Sequence, residues 1–188
     1  MPPIDRMVRW LAVDGFGAEH LRVRGDREGL TAESIVVGEL GNVPYGLSYR
    51  LRCDGGWRCR EAVFALVGEA RTLHLLADGE GSWRSGDGVP LEALRGCVDI
   101  DIAATPFTNT LPIRRLRLAR GQSRELRVAY IPVPSLRPEA AGQRYSCLEP
   151  DRLYRYESLP SGFTAELTVD EDGLVIDYPE MFRRWQPG

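Results

Sequence analysis

Lysine is absent from this chain: all 24 of its basic residues are arginine. Arginine-favouring, GC-rich coding accounts for that better than selection for bidentate anion binding. Formal net charge is −3 and the isoelectric point about 5.5. A surface built to hold nucleic acid non-specifically is more usually basic, so that class of partner is disfavoured. Histidine is scarce too: His20 and His74 are the only two, far apart in sequence. With four scattered cysteines (Cys53, Cys59, Cys97 and Cys147) they offer no metal-ligand spacing, so no metal and no cofactor is expected. The cysteines are also too sparse for a disulfide framework in 188 residues, which points to a reduced, cytoplasmic protein. No run approaches the roughly 18 to 20 apolar residues of a membrane-spanning helix. Met1 to Trp10 carries Asp5, Arg6 and Arg9 and does not read as a secretory leader. The Gly-x-Ser-x-Gly elbow, the P-loop, the dinucleotide fingerprint and His-Glu-x-x-His are all missing.

What the chain does have is period-two alternation. Tyr45, Leu47, Tyr49, Leu51 and Cys53 share one face, and Ser48, Arg50 and Arg52 the other. Asp54-Gly55-Gly56 then turns the chain into a second run from Trp57 to Val67, giving a long hairpin. Further strands are expected at His20–Arg24, Ser34–Leu40, Thr72–Ala77, Ser82–Ser85 and Val98–Ala103. Others follow at Glu125–Val133, Arg144–Leu148, Phe163–Val169 and Leu174–Tyr178, with Asp-Gly turns punctuating the series. Such a series indicates an all-β, mainly antiparallel barrel, roll or sandwich, with residues 1–188 as a single domain. Thr105 to Pro112 is rich in capping residues and carries proline where a first helical turn tolerates it, so Thr108 to Arg117 is the expected helix. Short helical turns are read at Leu91–Leu94 and Pro179–Arg184. Pro132, Pro134 and Pro138 mark a corner rather than a linker.

Several constellations could carry chemistry. Each tryptophan adjoins an arginine in sequence (Arg9-Trp10, Trp57-Arg58, Trp83-Arg84, Arg184-Trp185), but strand neighbours face opposite ways, so core-facing Trp with solvent-facing Arg is the expectation. If the inner face lines a cavity, Tyr49, Trp57 and Trp83 become its walls. The arginines from Arg114 to Arg127 could make an anion site beside a short helix, although Asp99, Asp101 and Glu125 could absorb their charge. Asp99 and Asp101 share a strand face, and alternation assigns them to the outer side with Val98, Ile100 and Ile102 inward.

The segment Cys97-Val98-Asp99-Ile100-Asp101-Ile102-Ala103-Ala104-Thr105-Pro106-Phe107-Thr108-Asn109-Thr110-Leu111-Pro112-Ile113-Arg114-Arg115-Leu116 is distinctive. With Leu47 to Asp54 and Phe163 to Tyr178, it resembles the bacterial family of putative glycolipid-binding proteins, over about Trp10 to Arg184. The resemblance implies a spiral β-roll, a long many-stranded sheet wrapped around a single short α-helix, and a homodimer. It also implies an amphipathic ligand, by analogy of fold rather than from any binding residue. The leading expectation is therefore glycolipid or lipid binding in an apolar interior. Asn109, Arg114, Arg115, Asp99, Asp101 and Arg144 are the expected polar contacts at its mouth. The alternatives are an enzyme on a small polar or carbohydrate substrate using the Asp/Arg cluster, and a dimeric scaffold without a ligand.

Overall fold

A computed structural model describes residues 3–40 and 42–186. All its strands belong to one 14-stranded sheet, and among the described residues it has a single α-helix. Seven strands form the first half: β1 (Ile4–Ala12), β2 (Gly17–Gly25), β3 (Gly29–Leu40), β4 (Val43–Asp54), β5 (Cys59–Leu66), β6 (Thr72–Ala77) and β7 (Trp83–Ser85). They are an uninterrupted antiparallel meander. After a 3₁₀ turn at Glu92–Leu94 comes β8 (Asp99–Ile102), and a second 3₁₀ turn (Phe107–Asn109) runs into helix α1 (Thr110–Leu116). The second meander is β9 (Ser123–Ile131), β10 (Glu139–Glu149), β11 (Leu153–Ser158), β12 (Thr164–Val169), β13 (Val175–Tyr178) and β14 (Phe182–Arg184). β1 pairs antiparallel with β14, so the first and last strands join the two meanders in mid-sheet. β8 adds to β9 in parallel, the connection between them being the helix.

This is the all-β roll that the alternation and the resemblance lead one to expect. Along β4, Leu47, Tyr49, Leu51 and Cys53 are buried while Ser48, Arg50 and Arg52 are exposed. The two ends of the sheet approach each other. The Gly96 amide donates to the Gly81 carbonyl, Trp83 Nε1 to the Cys97 carbonyl at 2.6 Å, and Arg71 reaches the Pro134 and Ser135 carbonyls. Enclosed between them, the helix segment joins two cores: Phe107 and Leu111 pack into a core drawn from β1–β9, Ile113 into one drawn from β10–β13. Pro112 sits in the first turn, where its missing N–H has no intrahelical acceptor to lose. The turn Asp170–Gly173 packs on the helix. Gly173 has φ +77°, and a Cβ there would lie 2.7 Å from Arg114 Cδ, so both backbone and neighbour demand glycine.

Three expectations are corrected. Pro179–Arg184 is not a helical turn but a turn followed by β14, because residues 182–184 are needed to pair with both β1 and β13. The strands β1 and β11 lie where no strand was expected. Asp99 and Asp101 are not on an outer face: β8 is covered on both sides, with Ile100 and Ile102 in the first core and the carboxylates turned toward the helix segment and β10. A parallel strand beside its crossover helix has no solvent side.

Candidate functional site

One end of the roll opens into a two-lobed cleft, with lobes of about 330 and 380 Å³ that meet along Ala103, Tyr130, Met181 and Phe182. Both volumes fall in the range of small-molecule sites. Trp10, Val36, Tyr45 and Val133 wall the first lobe, and the exposed apolar side chains of Phe16, Leu40 and Met181 stand at its edge. Tyr130, Tyr156, Phe163, Tyr178 and Phe182 wall the second. Four of these rings are in mutual contact: Tyr156–Phe163, Tyr156–Tyr178, Phe163–Tyr178 and Tyr178–Phe182 centroids lie 6.0–6.3 Å apart, tilted or edge-to-face.

Each lobe reaches a buried carboxyl group. In the first it is Glu19 of β2, only 4% exposed. Its Oε1 accepts hydrogen bonds from Ser34 Oγ at 2.7 Å and Tyr49 OH at 2.6 Å, while its buried Oε2 has no partner among the described residues. Burial pushes this carboxyl up to about 7, against the hydroxyls of Thr105, Tyr49 and Ser34. Glu19 and Tyr49 in turn meet the loop before the helix, since Tyr49 OH lies 3.4 Å from Thr105 Oγ1.

Asp101 of β8 occupies the second lobe. Gln143 Nε2 donates to its Oδ2 at 2.6 Å and Thr108 Oγ1 to its Oδ1 at 3.1 Å. Burial raises this carboxyl as well, outweighing both donors. Beside it Asn109 takes the Tyr145 hydroxyl on Oδ1 at 2.6 Å and donates through Nδ2 to the Pro106 carbonyl at 3.1 Å. Tyr145→Phe is expected to leave Asn109 Oδ1 buried without its donor, lowering stability by about 2 kcal/mol. Urea unfolding of the variant measures this, and a midpoint unchanged from the parent would show that the bond contributes nothing net.

The structure divides the residues expected at the site. Asp101 and Asn109 line the second lobe, and Tyr49 supports the first from behind through Glu19. The others lie elsewhere. Asp99 and Arg115 form a bidentate pair beneath the helix, where burial raises the Asp99 carboxyl despite the guanidinium. Arg114 stacks over Trp57 at 5.6 Å and donates to the Glu171 carbonyl. Arg144 pairs with Glu125 and Glu157 across β9, β10 and β11. Trp57 and Trp83 are buried core residues, not walls of the cleft. The arginine–tryptophan contacts that form (Arg9 with Trp185, Arg114 with Trp57, Arg184 with Trp10) all join residues distant in sequence.

Glu19 was not among the expected site residues. Its signal was nonetheless present, because it shares the inward parity of Leu21 and Val23, and a carboxylate on that face stands out.

The architecture is that of an all-β roll wrapped on a short helix, with a cleft of aromatic walls and buried acid groups. Residues 7–184 match the family described as "Putative glycolipid-binding", and the chain belongs to that family. It is also similar to a DUF1089 family protein from Pseudomonas aeruginosa known from a crystal structure. The identity is 50% and the TM-score 0.82, covering 90% of this chain and 92% of that one. No curated protein matches.

Proposed function

We propose that this protein binds an amphipathic, glycolipid-type ligand in the two-lobed cleft. The observation that carries this reading is the pairing of aromatic and aliphatic walls with a few convergent buried polar groups, the usual composition of a ligand site. Asp101, Asn109 and Gln143 are the proposed polar contacts of the second lobe, and its cluster of aromatic rings suits the apolar face of a sugar. The exposed Phe16, Leu40 and Met181 give the apolar part of the ligand an entry route. A single roll domain over residues 1–188 is supported by the continuity of the sheet. A reduced, cytoplasmic setting is supported by four buried free cysteines, and the absence of a nucleic-acid partner by the net charge of −3. For a homodimer the support is a row of exposed apolar residues across the outer sheet face, Leu11, Val37 and Val67, with Ile35 beside it.

Ala103 sits where the lobes meet, so Ala103→Trp fills the cleft without adding charge. Calorimetric titration with a short-chain alkyl glucoside is expected to give one site per chain, and the variant to bind at least about tenfold more weakly at unchanged Tm. Equal affinity in a folded variant would place binding elsewhere, and no binding to the parent would reject the reading for this ligand class.

A further inference from the structure

Among the described residues, the charged side chains that line the cleft have one sign. Asp14, Glu19, Glu39 and Glu180 line the first lobe, and Asp101 and Glu139 the second. About one residue in eight of the chain is arginine, yet among the described residues lining either lobe there is no arginine and no histidine. Acidic surroundings alone would say little. The second observation is Glu19 itself: only 4% exposed, it lines the first lobe, and its buried Oε2 has no hydrogen-bond partner among the described residues.

From these we infer that the polar end of the cleft's occupant carries an ammonium group that pairs with Glu19, making this a site for amine-bearing amphiphiles that rejects anionic ones. The inference rests on the cleft-binding reading above and adds the charge of the ligand.

Glu19 is held for a cation. Its polar neighbours are hydroxyls: Ser34 and Tyr49 donate to Oε1, and Thr105, beside Tyr49, also favours the charged form. Hydroxyl donors favour the carboxylate, but none of them neutralises it, and a buried carboxylate needs a positive partner. An ammonium on Oε2 supplies that charge together with the missing hydrogen bond. Tyr45 and Tyr130 line the same lobe, and aromatic rings of this kind can take an ammonium group on their faces. A phosphate or carboxylate head group would find like charge and no arginine fork. The titratable groups around Glu19 are Tyr45 and Tyr49 on β4 and the carboxylates of Asp14, Glu39 and Glu180 along the lobe, while His20 on its own strand is exposed on the opposite face.

The test is calorimetric titration of the full chain at neutral pH with decylamine, decyl glucoside and decanoate, each below its micelle-forming concentration. Decylamine, fully charged at this pH, is expected to bind at least about tenfold more tightly than the glucoside, and decanoate most weakly. In Glu19→Gln the amine preference over the glucoside should disappear. A variant-free readout is the proton balance in two buffers of different ionisation enthalpy. Amine binding should release protons as Glu19 ionises, whereas glucoside binding should not. The inference is overturned if decanoate matches the amine, if the preference survives in Glu19→Gln, or if amine binding releases no protons. Glucoside binding without amine preference overturns this inference alone. Failure of all three to bind rejects the cleft-binding reading and the inference with it.

Discussion

Arg115→Met is expected to destabilise the protein by about 3–5 kcal/mol at neutral pH, the usual cost of leaving a buried charge unpaired. The Asp99 side chain is 1% exposed, while Arg115 is 19% exposed, enough to wet the guanidinium but not the carboxylate. Arg115 Nε donates to Asp99 Oδ1 at 3.0 Å and a terminal nitrogen to Oδ2, so both acceptor atoms lose their partner at once. Arg58, which also favours the charged form, does not bond to the carboxyl and cannot replace the fork. Even paired, Asp99 is raised by burial. Removing Arg115 raises it further, so the variant should recover part of its loss as pH falls and Asp99 takes up a proton. The double variant Asp99→Leu/Arg115→Met should regain most of the stability, because a buried ion pair and an apolar pair of similar volume are often nearly equivalent. Urea unfolding of the two variants at pH 7.5 and pH 5 decides the matter. A loss below about 1 kcal/mol in the single variant would mean that water solvates the pair, as in surface ion pairs.

Asp99 also shows what the sequence could and could not say. Alternation correctly grouped it with Asp101 and opposed both to Ile100 and Ile102. It then assigned the carboxylates to solvent, because alternation reports parity, not what lies on the second face. That face is filled by the crossover segment, and the parallel pairing of β8 with β9 is a long-range fact no local pattern encodes. The meanders β2–β7 and β9–β10 with β12–β13 were legible because tight Asp-Gly turns and inward aliphatics coincide. β11 was not, since Tyr154 and Tyr156 alternate with Arg155 and Glu157 over only six residues. β14 is shorter still, at three residues, and its strand state depends on neighbours on both sides. At the site, Asp101 and Asn109 could be picked out from their motif. The arginines of that motif lie outside the cleft, Arg115 against Asp99 and Arg114 over Trp57. The clustered rings of Tyr156, Phe163, Tyr178 and Phe182 come from three strands and the loop before β12, and gather only when the sheet curls.

Glu19 gives the second large effect. Its carboxyl titrates near 7 in the folded chain against an ordinary value of 4.5, so the folded state binds that proton more tightly than the unfolded one. Its contribution to stability is therefore fully present below pH 4.5 and is lost as pH rises toward 7. The interval corresponds to about 3 kcal/mol, at about 1.4 kcal/mol per pH unit. Asp101 and Asp99 are raised too and act in the same direction, while Asp78, lowered to about 2 by backbone amides of its own turn, acts oppositely and only in strong acid. Comparison with Glu19→Gln isolates the one group, because glutamine keeps the shape and cannot titrate. The stability of Glu19→Gln relative to the parent should rise by about 3 kcal/mol between pH 4.5 and pH 8 and be flat outside that interval. Ser34 and Tyr49 can still donate to the amide oxygen, so the fold should tolerate the change. Parallel pH profiles for the two proteins would mean that Glu19 is hydrated in solution and ionised throughout. An occupant that pairs with the carboxylate should pull the parent's profile toward that same flat line, linking the stability measurement to the ligand the cleft accepts.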